Sequence, residues 1–244
     1  MVPRIFHPER LTDGETVTLD ESAARHVARV LRLNPGGQLI LFDGTGGEFN
    51  AVIREIGKRR VMAELGTRQH VETESPLRIT LAQGVSRGDR MDFTIQKAVE
   101  LGVSRIVPLS TERSVVNLKG QRLEKKLAHW QGIIISACEQ CGRNTLPQLL
   151  PMQSLARWLE DDGAKGTGVL LDHRANATIA TLSLPPGVAL TLLIGPEGGL
   201  SGTEQERALV AGYQGLRLGP RVLRTETAAL AALAALQSRF GDLR

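Results

Sequence analysis

Cysteine is nearly absent from the chain. Cys138 and Cys141 are the only two in 244 residues, so no disulfide framework can hold the fold. No apolar run approaches the ~20 residues of a membrane span. The opening stretch MVPRIFHPERL has no apolar signal core. A cytoplasmic, reducing setting is expected. Internal repeats and low-complexity segments are also missing. Lysine is scarce: of 30 basic residues, 24 are Arg, the planar fork suited to phosphate. An Arg-rich coding bias explains that preference equally well.

The basic residues are unevenly spread. Residues 75–150 carry eleven Lys/Arg against six Asp/Glu, while the flanking blocks are close to balanced. A net charge of +4 permits a nucleic-acid partner without demanding one. The first 70 residues read as a meander of short strands, Gln38–Phe42, Phe49–Ile56 and Arg60–Leu65. They are linked by Asp43-Gly44-Thr45-Gly46-Gly47 and Gly57-Lys58 and interrupted by one helix near Glu21–Leu31. The polar, aperiodic stretch HVETESP (70–76) marks a domain boundary. Beyond it strands alternate with helices. Strands are expected at Arg78–Gln83, Arg105–Leu109, Val169–Leu171, Leu190–Ile194 and Leu216–Leu218. Helices are expected at Asp89–Leu101, Gln121–Cys141, Thr203–Gly212 and Thr225–Phe240. That alternation predicts an α/β domain on a largely parallel sheet.

The apolar run Leu190–Ile194 ends in Gly195-Pro196-Glu197-Gly198-Gly199. Ligands gather at the carboxyl ends of parallel strands, and glycine lets backbone groups approach them. A phosphate-binding P-loop requires Lys and Ser/Thr after its last glycine, and Leu200 stands there instead. The spacing of a dinucleotide fingerprint is absent too, and Glu197 would repel a phosphate. The turn suits a ligand with hydroxyls, an amine or a positive centre, or it is a strand-to-helix turn with no ligand. A second stretch, LRLGPRVLRTETA (216–228), repeats the pattern, with Thr225 a candidate N-cap. The pair Cys138-Glu-Gln-Cys141 lacks the further ligands of a closed zinc site and fits buried apolar cysteines. Arg25, Arg29 and Arg32 fall at i, i+4 and i+7 with His26 adjacent, a basic stripe on one helical face or a solvated surface.

Together HVARVLRL (26–33), QKAVELGV (96–103), ERS (112–114), ACEQCGR (137–143), LLIGPEGGLS (192–201) and LRLGPRVLRTETA (216–228) resemble the signature blocks of one family. That family is the ribosomal small subunit RNA uridine-N3 methyltransferases of the knotted SPOUT superfamily. The blocks run in family order from residue 26 to residue 228. The resemblance implies an α/β protein with a SPOUT-type trefoil-knotted parallel-sheet domain over 73–244 and a small PUA-like β-barrel for RNA over 1–72. General topology rules argue against a knot, so that expectation rests on the resemblance alone. Also implied are a homodimer, 16S rRNA within the small subunit as partner, S-adenosylmethionine as cofactor, and neither metal nor membrane. The matching cofactor loops comprise Leu171, Gly195, Pro196, Glu197, Gly198, Gly199, Leu218, Gly219, Leu223, Arg224 and Thr225. Arg25, His26, Arg29 and Arg32 become candidates for RNA contact.

Methylation at uracil N3 requires loss of the N3 proton and stabilisation of the resulting anion over O2 and O4. Arginine suits the second task, and Arg143 and Arg224 are the candidates. A carboxylate can take the proton; Glu139 is the first choice and Glu226 the second. Two rivals remain open. One is another SPOUT reaction, at ribose 2′-O or guanine N1. The other is a non-catalytic RNA-binding ribosome assembly factor.

Overall fold

The structure, a computed structural model, describes residues 2–57, 60–161, 167–185 and 187–243. The chain divides into two compact units, Met1–Glu74 with Ile135–Leu146, and Ser75–Ile134 with Pro147–Arg244.

The first unit contains β1 (Arg4–Phe6), β2 (Thr16–Thr18), α1 (Glu21–Arg25), β3 (Gln38–Phe42), β4 (Glu48–Ile56) and β5 (Val61–Gln69). The sheet order is β1-β3-β4-β5-β2. The antiparallel meander β3-β4-β5 follows the expected pattern, with β1 added parallel to β3 and β2 antiparallel to β5. Lys58, placed by the sequence in the turn before β5, lies outside the described residues. Phe49, Ala51 and Ile53 of β4 and Val61, Ala63 and Leu65 of β5 alternate inward onto Ile5, Leu39 and Leu41. Two register shifts in the β4–β5 pairing bend the sheet around this core.

Helix α1 is capped by Asp20, whose Oδ1 accepts from the N–H groups of Ser22 (2.7 Å) and Ala23 (2.9 Å). The expected helix over 21–31 is not one α-helix. His26–Val30 forms a wider π turn, in which Leu31 N–H donates to His26 O at 2.9 Å. Arg32 then adopts a left-handed φ of 52°. A stripe at i, i+4 and i+7 requires unbroken α periodicity, so Arg32 does not continue the helical face. Arg25, His26, Arg29 and Arg32 are all exposed.

The second unit contains β6 (Ile79–Gly84), α2 (Asp89–Glu100), β7 (Arg105–Ser110), α3 (Gly120–Cys141), β8 (Gln148–Leu149), β9 (Gln153–Ser154), α4 (Leu155–Asp161), β10 (Thr167–Leu171), β11 (Leu190–Ile194), α5 (Gly202–Val210), β12 (Tyr213–Leu216) and α6 (Thr225–Phe240). From Ile135 onward α3 belongs to the first unit. Every strand pair here is parallel, in the order β12-β10-β11-β6-β7, with β8 and β9 both on β7. All of β6 and β11 is buried, which is why neither shows an alternation of apolar and polar residues. The last strand was expected at Leu216–Leu218 but ends at Leu216, paired with Leu171. Arg217 N–H leaves the ladder for Ala177 O at 2.8 Å, and Leu218 starts a loop.

Leu233 and Leu236 of α6 are fully buried with Ala229 and Ala232, so that apolar face packs within its own unit against α2 and β11. Gln237, also fully buried, fixes the end of α6. Its Oε1 accepts from Ser75 Oγ at 2.7 Å and its Nε2 donates to Leu101 O at 3.0 Å.

Asp92 ties α2 to α3. Its Oδ1 accepts from Lys126 Nζ and from Trp130 Nε1, both at 2.9 Å, and its Oδ2 lies 2.6 Å from His129 Nε2. Burial works to raise the Asp92 pKa, but the hydrogen bonds from Lys126, His129 and Trp130 outweigh it and hold the carboxyl below its usual value. A depressed folded-state pKa contributes stability above the unfolded value, and that stability is lost as pH falls through the folded value. Asp92→Ala should therefore destabilise the protein by about 2 kcal/mol at pH 7 and flatten the loss of stability on acidification below about pH 4. Urea unfolding across a pH series tests both.

Candidate functional site

Three parallel strands, β10, β11 and β12, end on one cavity of about 800 Å³ whose lining lies wholly in the second unit. Its base is a buried hydrogen-bond relay. Thr225 Oγ1 donates to Gly195 O at 2.6 Å and accepts from Gln83 Nε2 at 2.9 Å, and Gln83 Nε2 also reaches Gly84 O at 3.0 Å. Thr225 is thus the first helical residue of α6 rather than its N-cap. Arg224 takes the cap position and makes no side-chain cap bond.

The glycine turn is folded on itself. Gly199 N–H donates to Pro196 O at 2.8 Å, with Gly199 at φ +67°. A Cβ on Gly195 would stand 2.8 Å from both Gly199 C and Leu200 N. Leu200 leads into α5 through a capping box. Ser201 Oγ accepts from Glu204 N–H at 3.1 Å and Glu204 Oε2 accepts from Ser201 N–H at 2.8 Å. The other oxygen, Glu204 Oε1, accepts from Glu112 N–H at 2.8 Å, and Arg113 Nη1 donates to Gly198 O at 3.1 Å. One loop after β7 is thereby fastened to the turn.

Glu197 turns toward the segment between β6 and α2. Its Oε1 accepts from Arg87 N–H at 2.9 Å and Arg90 Nη1 at 3.0 Å. Burial raises its pKa, but the Arg87 N–H and the Arg90 guanidinium prevail and keep it below the usual carboxylate range. Asp172 behaves likewise: burial is outweighed by the backbone N–H and guanidinium of Arg174. Glu226 differs. Its side chain is 14% exposed, its Oε1 lies 3.9 Å from Arg90 Nε, and its buried Oε2 has no hydrogen-bond partner among the described residues.

All eleven residues expected on the cofactor loops line this cavity, from Leu171 through the Gly195–Gly199 turn to Leu218, Gly219 and Leu223–Thr225. So does Glu226. Glu139 and Arg143 do not; they belong to the first unit. There Glu139 Oε1 accepts from Phe6 N–H at 3.0 Å, and burial raises its pKa. Arg143, 4% exposed, donates from Nε to Glu74 Oε1 at 2.8 Å and from Nη2 to Glu74 Oε2. Beside them the Cys138 thiol is pushed by burial to about 12, consistent with the apolar reading of that cysteine. Sequence reasoning missed Arg90, Arg113, Asp172, Arg174 and Arg221 in the lining. The segment Asp172–Arg174 carries no glycine, although its place just after a parallel strand was a usable signal.

The sequence from residue 73 to residue 237 matches the RNA methyltransferase domain, and residues 19–65 match the RNA methyltransferase PUA domain. The chain belongs to the RNA methyltransferase family. Ribosomal RNA small subunit methyltransferase E of Buchnera aphidicola from Schizaphis graminum is 37% identical, with 99% of this chain and 98% of the relative covered. The Bacillus subtilis protein of that name is 31% identical, covering 97% and 95%. The solved Neisseria gonorrhoeae ribosomal RNA small subunit methyltransferase E, bound to S-adenosylmethionine, superposes with a TM-score of 0.93 at 43% identity over 100% of both chains. A Legionella pneumophila methyltransferase in complex with the same cofactor gives 0.94 at 42% identity, again over 100% of both. The family resemblance carried by the sequence blocks is borne out, as is the combination of a parallel-sheet methyltransferase domain with a PUA-like N-terminal domain.

Within this methyltransferase fold the glycines of the turn are not equivalent. A Cβ on Gly198 would stand 3.2 Å from Arg113 Cβ and 3.5 Å from Arg113 O, whereas one on Gly195 would stand 2.8 Å from backbone atoms. Gly195→Ala should cost about 2 kcal/mol and lower the melting temperature by roughly 4–8 °C. Gly198→Val, by displacing Arg113, should weaken cofactor binding with a smaller loss of melting temperature. Thermal melts and calorimetric titration of both variants test the distinction.

Proposed function

We propose that this chain is an S-adenosylmethionine-dependent methyltransferase that modifies N3 of a specific uridine in the 16S rRNA of the small ribosomal subunit. In this reading it works in the cytoplasm as a homodimer. One observation carries the proposal: two glycine-proline loops and the end of β10 converge on a single cavity at the carboxyl ends of the strands. The deep trefoil knot belongs to the same proposal. The pairing of β12 with β10, rather than with β11 before it in the chain, supports it.

The residues present fit the cofactor. Gly199 and Gly219 are open where a Cβ would stand, so their backbones can be approached closely. The lining supplies both arginines for a carboxylate and carboxylates for cationic groups. Leu171, Gly195, Pro196, Glu197, Gly198, Gly199, Leu218, Gly219, Leu223, Arg224 and Thr225 would hold it. When bound, S-adenosylmethionine supplies an electrophilic methyl group on a sulfonium.

The chain's own residues must then make uracil N3 nucleophilic. Arg224, at the N-terminal edge of α6, presents a positive donor to an anion spread over O2 and O4. Glu226, with one carboxylate oxygen unpartnered, is suited to accept the N3 proton. Glu139 is the alternative acceptor and Arg143 the alternative anion donor. Both carry hydrogen bonds within the first unit that they would have to relinquish. Arg25, His26, Arg29 and Arg32 would contact RNA phosphates.

Incubation with labelled S-adenosylmethionine and unmodified small subunits, followed by mass spectrometry of the nucleosides, should yield N3-methyluridine; its absence would refute the proposal. Glu226→Gln should lower turnover by about 10²–10⁴-fold, whereas Glu139→Gln should leave turnover near that of the unaltered protein. The opposite pattern would make Glu139 the base. Changing Arg25, Arg29 and Arg32 together to Ala should reduce the slope of log RNA affinity against log salt by about 2, at ~0.7 per phosphate contact on single strands. Cofactor affinity should stay unchanged, as a salt-series titration would show.

A further inference from the structure

A second cavity, of about 480 Å³, opens beside the ends of β7 and β9. Ser110, Ser114, Asn117, Lys119, Gln153 and Ser154 line it, and its other lining residues are apolar. We propose that it binds a nucleotide of the single-stranded substrate RNA flanking the target uridine. The inference rests on the RNA methyltransferase reading above.

The two cavities differ in charge. The strand-end cavity of the cofactor reading mixes three carboxylates, Asp172, Glu197 and Glu226, with five arginines. The second cavity includes no carboxylate, and its single charge is Lys119. A phosphodiester is tolerated there and a cation is not favoured. Amides and hydroxyls supply both donors and acceptors, which is what reading the edge of an unstacked base requires. No aromatic side chain lines the cavity, so hydrogen bonds rather than stacking would hold the base.

Outside the cavity the positive charge continues. Arg122 and Lys125 are exposed and lie three residues apart on one side of the first turns of α3, which begins just after Lys119. Lys126 is not part of this surface, because Asp92 holds it. These residues belong to the basic excess of the stretch 75–150, which the cofactor cavity leaves largely unused.

One loop walls both cavities. Arg113 lines the first and Ser114 the second. Between them the chain is fixed by Ser114 N–H donating to Thr111 O at 3.0 Å, by Arg113 on Gly198 O, and by Glu112 N–H on Glu204. A nucleotide seated against Ser114 and Asn117 is thus held in fixed relation to the glycine turn. That is the positioning that in-line transfer to a neighbouring base needs.

The test uses the full chain, a fluorescein-labelled single-stranded RNA of mixed sequence and unmodified small subunits. Lys119→Ala should reduce the salt slope of RNA affinity by about 0.7. Asn117→Leu and Ser154→Leu should weaken RNA binding about fivefold each at every salt concentration. Calorimetric affinity for S-adenosylmethionine should not change in any of them, which also shows that the variants fold. Wild-type affinity and slope in all three would overturn the proposal. So would unchanged RNA binding with lost activity on assembled subunits, which would assign the cavity to a ribosomal protein. If the unaltered protein methylates no subunits, the activity reading fails separately, and the RNA-binding comparison still decides the cavity.

Discussion

The hydroxyl of Thr225 joins three chain segments that are far apart in sequence. It donates to the Gly195 carbonyl at 2.6 Å and accepts from the Gln83 amide at 2.9 Å, so the glycine turn, the end of β6 and the start of α6 meet at one atom. Gln83 is fully buried and Thr225 nearly so. Neither the Gly195 carbonyl nor the Gln83 amide can turn to water instead, and leaving one unpaired costs about 1–3 kcal/mol. The arrangement also accounts for the bare N-cap of α6. The hydroxyl that would have capped the helix is used on the neighbouring strand, and Arg224 is left free at the cavity edge.

Around that atom the walls are fixed by backbone contacts rather than by side-chain bulk. A Cβ on Gly84 would lie 2.6 Å from Pro196 N, so the end of β6 and the turn touch main chain to main chain. Glu204 caps α5 with one oxygen and holds Glu112 with the other, which draws the loop after β7 against the same turn. Rigid loops on a rigid sheet lower the cost of organising a ligand, since little remains to be ordered on binding.

Much of this was legible before the structure. The long strands announced themselves by alternation in β4 and β5 or by the mainly apolar run in β11. The glycine turn was conspicuous because it followed such a run. What escaped had weak local signals. Strands β1, β2, β8 and β9 have two or three residues each, too few for any period to show. The π turn at His26–Val30 has the composition of an ordinary helix, so the basic stripe was drawn one turn too long. The pairing of Arg143 with Glu74 spans 69 residues, and no spacing rule reaches that far. The motif ACEQCGR therefore identified the family more clearly than it identified what its arginine holds.

Arg90 does not hold the carboxylates of the cavity alike. It stands between two of them, 3.0 Å from Glu197 and 3.9 Å from Glu226. The shorter contact, reinforced by the Arg87 N–H, commits Glu197 to its ionised form and to holding the turn. The longer contact leaves Glu226 Oε2 buried and unpartnered. The same arginine therefore fixes one acid in the wall of the cavity and holds its neighbour only at a distance.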